Sequence, residues 1–152
     1  MSAFLLVLVA IFSRILPHAF GFTAAGGSLL YFGARRPLRE AVVPVALFAA
    51  TDYYLTTFVY AYPFHVQHYL LTWAWYTAAI VLGRILLSQR VTFLRTASAV
   101  LLSTTSFFLM SNYAVWASSG MYPHSLAGLL ACFTAALPFY GKDVLSTGLV
   151  LG

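Results

Sequence analysis

The stretch LFAATDYYLTTFVYAY, residues 47–62, lies within one long apolar run and contains the only acid in any apolar segment of the chain, Asp52. Of the 152 residues, 62% are hydrophobic and only 7% are charged. A soluble domain is typically about one quarter charged, and a soluble domain of this length could not bury so much apolar surface. The composition therefore predicts an all-α, polytopic membrane protein.

Six apolar segments follow one another along the chain. They cover residues 3–17, 22–34, 41–61, 69–88, 96–117 and 124–140. These continuous runs differ from the alternating segments of about ten residues that build membrane β-barrels. We therefore expect about six transmembrane helices within a single domain, residues 1–152.

Two parts of this pattern leave alternatives open. Segment 22–34 is too short for the hydrocarbon core, which is about 30 Å thick, so it is either tucked between its neighbours or re-entrant. The last stretch, YGKDVLSTGLVLG (140–152), is either an interfacial helix or a continuation of the sixth segment.

The basic residues are distributed unevenly between the turns. With both termini in the cytoplasm, only Arg14 falls on the outer side, and seven basic residues fall on the cytoplasmic side: Arg35, Arg36, Arg39, Arg84, Arg90, Arg95 and Lys142. Cytoplasmic loops carry an excess of Lys and Arg, which favours this orientation. The net charge of +5 then marks one membrane face, so we expect the lipid bilayer as a partner and no nucleic acid.

A carboxylate inside a membrane costs about 2.5–3.5 kcal/mol on insertion scales and should face the bundle interior. Helical spacing groups Asp52 with polar or aromatic residues on the third segment and predicts similar stripes on the fourth and fifth. Together these stripes would line a cavity open to the outside. The candidate ligand-binding residues are Asp52, Tyr53, Thr56, Trp73, Tyr76, Asn112 and Trp116.

Arg14 is the candidate counter-ion for Asp52. A guanidinium group binds a carboxylate through two hydrogen bonds, which would clamp the first segment to the third as a structural ion pair. In the alternative interpretation, Arg14 reaches toward lipid phosphates while tyrosine hydroxyls bind Asp52.

No motif for catalysis or metal binding is found. The chain lacks a His-Glu pair at zinc-protease spacing, a Gly-flanked nucleophilic serine and a phosphate-binding loop. His18, His65, His68 and His124 fall in or beside the outer turns, where turn and interface roles are more common than metal ligation. We therefore expect neither an enzyme nor a metal site, and the sequence indicates no particular cofactor.

Small residues recur in AxxxA patterns at 46–50 and 127–131. Such patterns allow helices to approach closely. They serve either packing within the monomer or docking to other membrane subunits.

Two passages carry specific motifs. SRILPHAFGFTAAGGSLLYFGA (13–34) contains Arg, Leu-Pro-His, Phe-Thr and a run of small residues. SNYAVWASSGMYPHSLAGLLACFTAALPFY (111–140) contains Asn-Tyr, Val-Trp, Tyr-Pro, Leu-Ala-Gly-Leu and Leu-Pro-Phe. Both resemble an uncharacterised family of small bacterial integral membrane proteins, and this resemblance implies a multi-pass protein of the bacterial inner membrane.

The six short helices and aromatic outer pocket also resemble the substrate-binding S components of energy-coupling-factor vitamin transporters. LYFGARRPLR (30–39) is similar to the second helix of the cobalamin type. The first segment departs from the S-component pattern because it has only Ala3 and Ala10, and Cys132 lies in the sixth segment, away from the position of a cobalt ligand.

The resemblance implies a membrane-embedded subunit that binds a small, vitamin- or cofactor-like molecule for uptake. The alternative is an accessory structural subunit of a larger membrane complex, which would pack its aromatic and small-residue faces on other chains.

Overall fold

The computed structural model describes residues 2–16 and 23–152. Within these ranges the chain forms six α-helices and no strand, which confirms the all-α prediction. The helices are α1 (Ser2–Ile15), α2 (Ala25–Arg35), α3 (Val42–Tyr54), α4 (Leu70–Leu87), α5 (Phe93–Ser118) and α6 (Leu126–Leu151). The 3-10 turns Leu38–Glu40 and Val66–His68 precede α3 and α4, and a π-helical segment, Leu55–Val59, continues α3.

Three of these helices are long and apolar enough to cross a membrane. They are the helical stretch Leu38–Val59, α4 and α5, whereas α1 is apolar but shorter. Large apolar side chains cover the outside of the bundle, and Phe93 and Leu149 are 90% and 72% exposed. Such a surface is unfavourable in water and favourable in lipid.

The second helix lies at the centre of the bundle. It packs against α1, α4, α5 and α6, and seven of its 11 residues are buried. At 1.5 Å per residue, α2 is about 17 Å long and α5 and α6 are each about 39 Å long. Of the two alternatives for segment 22–34, the structure shows a short helix tucked between its neighbours.

The central helix contacts α4 backbone against backbone. Gly26 lies beside Trp75, and Gly33 lies beside Ile80, so the two helices run in the same direction. A Cβ atom added at Gly83 would lie 2.1 Å from the carbonyl oxygen of Leu30. Glycine is therefore required at this crossing because no side chain fits between the two backbones.

The last helix extends beyond the predicted sixth segment. It continues through Pro138 to Leu151, so the stretch 140–152 is a continuation of that segment. Asp143 consequently lies inside a 26-residue helix. Asp52 is still the only acid within the six apolar segments, but Asp143 is a second acid inside a long helix. Lys142 and Asp143 end the apolar run without ending the helix.

The two AxxxA patterns do not mediate helix packing inside the monomer. Ala46, Ala50, Ala127 and Ala131 are all exposed on the described surface. Packing within the chain relies on Gly33 and Gly83 instead, so the intramonomer interpretation of AxxxA is wrong.

Gly83→Ala should destabilise the protein by about 1–3 kcal/mol, because the new methyl group forces α2 and α4 apart. Gly141→Ala is the matched control, since a Cβ there meets nothing within 4 Å. It should leave stability unchanged or raise it by up to about 1 kcal/mol, because alanine favours a helix interior over glycine. Thermal unfolding in detergent micelles, followed by circular dichroism, compares the two variants. Equal melting temperatures would contradict the close crossing.

Candidate functional site

The carboxylate of Asp52 is buried between three helices. Its side chain is 3% exposed, and Arg14 Nη2 lies 2.5 Å from its Oδ1 atom. Arg14 belongs to the last turn of α1 and Asp52 to the second half of α3. The structure thus joins the two residues for which the sequence suggested an ion pair.

Two aromatic side chains of α4 also form hydrogen bonds with Asp52. Trp73 Nε1 donates to Oδ2 at 3.0 Å, and the Tyr76 hydroxyl lies 3.2 Å from the same oxygen. Tyr76 also accepts a hydrogen bond from Arg14 Nη1 at 3.1 Å. The two residues are three apart, so a single face of α4 presents both donors. The resulting polar cluster, Arg14, Asp52, Trp73 and Tyr76, connects α1, α3 and α4.

Aromatic rings surround the charged part of this cluster. The Arg14 guanidinium lies 5.6 Å from the ring centre of Phe48, which packs against Tyr76 at 5.2 Å between ring centres. A cation over a ring face is attracted by the ring quadrupole. The cluster therefore holds a neutral ion pair in an otherwise apolar and aromatic environment.

The helix changes its winding just beyond Asp52. Tyr60 N–H donates to the Leu55 carbonyl at 2.8 Å, a bond across five residues, within the π-helical segment. Such segments are rare and are frequently found at functional sites. Thr56 lies in this segment and is buried, and its hydroxyl contacts the hydroxyl of Tyr69.

A cavity of about 620 Å³ opens beside the polar cluster. Its polar lining residues are Arg14, Thr23, Asp52, Thr56, Tyr60 and Tyr69, and its apolar lining residues are Ile15, Leu16, Leu55 and Val59. They come from the end of α1, the start of α2, the end of α3 and the start of α4. We call this space the first cavity. Its volume lies within the range of about 300–1,000 Å³ that small-molecule sites occupy.

Of the seven predicted ligand-binding residues, Asp52 and Thr56 line the first cavity, whereas Trp73 and Tyr76 bind Asp52 without lining it. Tyr53 is 48% exposed and packs against Phe58 and Phe64 instead. Trp116 lies in the last turn of α5, where its indole N–H donates to the Pro123 carbonyl at 3.0 Å. His18, one of the predicted outer-turn residues, lies outside the described residues.

Asn112 lines a different space, which we call the second cavity. This cavity has a volume of about 270 Å³ and is lined by Thr23, Phe107, Phe108, Ser111, Asn112, Ala136, Phe139, Tyr140 and Asp143. The stripe on α5 faces α6, as the contact between Thr105 and Tyr140 at 2.9 Å shows. The structure therefore divides the polar surface predicted from the sequence between two cavities.

Tyr69 and Asp143 are among the lining residues that the sequence-based site lacks. Tyr69 lies at helical spacing from Trp73 and Tyr76, which is a usable signal in the sequence. Asp143 lies beyond residue 140, where the sixth apolar segment ends.

Arg14→Met should lower stability by about 3–5 kcal/mol, because it leaves the Asp52 carboxylate buried without its counter-ion. The double variant Arg14→Met/Asp52→Asn should recover much of this loss, since neither charge remains and the amide oxygen still accepts from Trp73 and Tyr76. Thermal unfolding in detergent micelles, followed by tryptophan fluorescence, ranks the stabilities of the wild type, Arg14→Met and the double variant. The ion pair would be unimportant if the double variant were no more stable than Arg14→Met.

No curated protein and no solved structure matches the chain. One family model matches it over residues 1–152, and the description of that family is a family of unknown function. The match covers every helix of the bundle and both cavities. The chain therefore belongs to the family of unknown function DUF6580.

Proposed function

We propose that this protein is a membrane-embedded, substrate-binding subunit for the uptake of a small molecule. The first cavity carries the proposal: a space of about 620 Å³ has a buried ion pair in its wall. Clefts of this size with a few convergent polar groups are the usual form of small-molecule sites. Uptake and a vitamin- or cofactor-like substrate are supported by the resemblance to S components described above.

In this proposal the chain is a multi-pass protein of the bacterial inner membrane with both termini in the cytoplasm, and the short α2 is held between its neighbours without crossing the membrane. The basic residues support this orientation, because Arg35, Arg39 and Arg90 lie at the end of the bundle away from the first cavity. The first cavity is built at the opposite end, where α1 and α3 end and α4 begins. It would therefore receive its ligand from outside the cell.

Arg14 is the member of the ion pair that a ligand would meet. Its side chain is 19% exposed, whereas that of Asp52 is 3% exposed. A guanidinium has five N–H donors, and in the described residues Arg14 donates from Nη1 to Tyr76 and from Nη2 to Asp52. Asp52 would then position Arg14, and the remaining donors would bind a carbonyl, carboxylate or phosphate oxygen of the ligand.

Hydroxyl groups extend the polar surface across the first cavity. Thr56, Tyr60 and Tyr69 line it together with Arg14. Hydroxyls both donate and accept hydrogen bonds. The ligand we propose is thus a polar molecule with several oxygen or nitrogen acceptors and an apolar part that contacts Leu55 and Val59.

One observation favours the second candidate function, an accessory structural subunit of a larger membrane complex. The alanines of both AxxxA patterns are exposed, and small residues of this kind let neighbouring transmembrane helices pack closely. Such a subunit would co-purify with other chains and would not need an occupied first cavity.

Native mass spectrometry of the protein, purified in detergent from its own membrane, should detect a bound small molecule. Val59→Trp should lower its occupancy at least about tenfold, because the indole would fill the first cavity. Val42→Trp is the matched control on the same helix, since Val42 is 69% exposed and lies at the other end. An empty wild-type protein that co-purifies with other chains would favour the accessory subunit.

Labelling of single cysteines tests the orientation, on a Cys132→Ser background. Ser119→Cys lies in the turn after α5, and Gln89→Cys lies in the turn after α4. In intact cells a membrane-impermeant maleimide should label Ser119→Cys only, and both variants should react after permeabilisation. Labelling of Gln89→Cys in intact cells would refute the cytoplasmic placement of the basic turns.

A further inference from the structure

The second cavity lies between α5 and α6 and differs in chemistry from the first. Four of its nine described lining residues are aromatic, namely Phe107, Phe108, Phe139 and Tyr140. Its polar groups include Ser111, Asn112 and Asp143. The two cavities share a single lining residue, Thr23, among those described.

The carboxylate of Asp143 has no partner in the described part of the chain. No hydrogen bond and no salt bridge reaches its side chain from residues 2–16 or 23–152, although the residue is half-buried. Its neighbour Lys142 does not pair with it, since the Lys142 ammonium lies 5.9 Å from the ring centre of Phe139. Asp52 contrasts with this, because both of its carboxylate oxygens are bound.

The other polar groups of the second cavity supply acceptors beside this carboxylate, since the hydroxyls of Thr23 and Ser111 accept as well as donate hydrogen bonds. Asn112 uses its amide nitrogen to bind the Phe108 carbonyl at 2.7 Å, which leaves its amide oxygen as an acceptor. An ionised carboxylate is also purely an acceptor. The cavity therefore combines a negative charge, an acceptor oxygen and several aromatic faces.

This combination recognises a cation that carries N–H donors and apolar groups. An ammonium group donates charge-assisted hydrogen bonds to a carboxylate, and its charge is attracted by the faces of aromatic rings. A divalent metal fits less well, because within the described ranges no three His, Cys, Asp or Glu side chains form a group that could hold one. Metal sites of the calcium or magnesium type use several oxygen ligands.

We propose that the second cavity binds a primary organic ammonium ion, with Asp143 as its counter-ion and the rings of α5 and α6 around its alkyl part. This site does not depend on the proposed function of the first cavity, because it uses a different carboxylate and different helices. It could hold a separate ligand while the first cavity is empty.

Isothermal titration calorimetry of the purified full-length protein in detergent micelles tests this site. The probes are n-butylammonium chloride, 1-butanol as the uncharged match, and sodium chloride at equal ionic strength. We expect saturable binding of n-butylammonium and none of the other two. Asp143→Asn should weaken n-butylammonium binding at least about tenfold, because it removes the charge and preserves the shape of the side chain.

Two control variants separate this result from nonspecific effects. Lys142→Gln changes an adjacent exposed charge and should alter the affinity by about twofold or less. Val59→Trp fills the first cavity and should leave n-butylammonium binding unchanged, so failure of the proposed uptake function would not affect this result. Equal thermal unfolding of Asp143→Asn and the wild type shows that the variant folds.

The proposal is overturned by any of three results. The first is the absence of saturable n-butylammonium binding. The second is equal binding of 1-butanol or of sodium ions, which would indicate an apolar or an inorganic cation site. The third is unchanged n-butylammonium affinity in Asp143→Asn.

Discussion

A carboxylate that is withdrawn from water must have partners, and in this protein Asp52 obtains all of them from other helices. Arg14 reaches it from α1, while Trp73 and Tyr76 reach it from α4. An ion pair in a low-dielectric interior offsets its desolvation only when its remaining hydrogen bonds are also made. The relative positions of three helices therefore depend on one side chain, and the wall of the first cavity depends on those positions.

The lengths of the helices explain where the cavities form. The α1–α2 pair is much shorter than the α5–α6 pair, and α2 is held at the centre by the backbone contact at Gly33 and Gly83. Among the described residues, space remains next to the end of α3 and the start of α4. The first cavity occupies this space, and Thr23, just before α2, lines both cavities. A short central helix in a bundle of longer ones thus leaves internal volume, while α2 itself remains closely packed.

Most of the polar cluster and a part of the first cavity could be predicted from residue spacing. Asp52 and Thr56 on the third segment, and Trp73 and Tyr76 on the fourth, recur at helical intervals, so each pair lies on one face whatever the fold. The α5 stripe was also recognised, but the direction in which it faces depends on how α5 rotates against α6. Tyr53 was placed with Asp52 by the same spacing, yet it is exposed at the edge of the bundle. Periodicity groups the residues of one helix, and it cannot say which neighbour that group meets.

The chain alone was enough to establish a helical protein with membrane-compatible helices, because its low charge and long apolar runs leave no other way to satisfy backbone polar groups in an apolar medium. It was also enough to identify Arg14 and Asp52 as charges that require a partner. The π-helical winding after Tyr54 and the separation of two cavities emerge only in the folded bundle. The bundle also decides between the two alternatives for residues 140–152, because α6 continues past Lys142. These features depend on contacts between residues far apart in the chain, and the energy of such contacts is absent from any local pattern of residues.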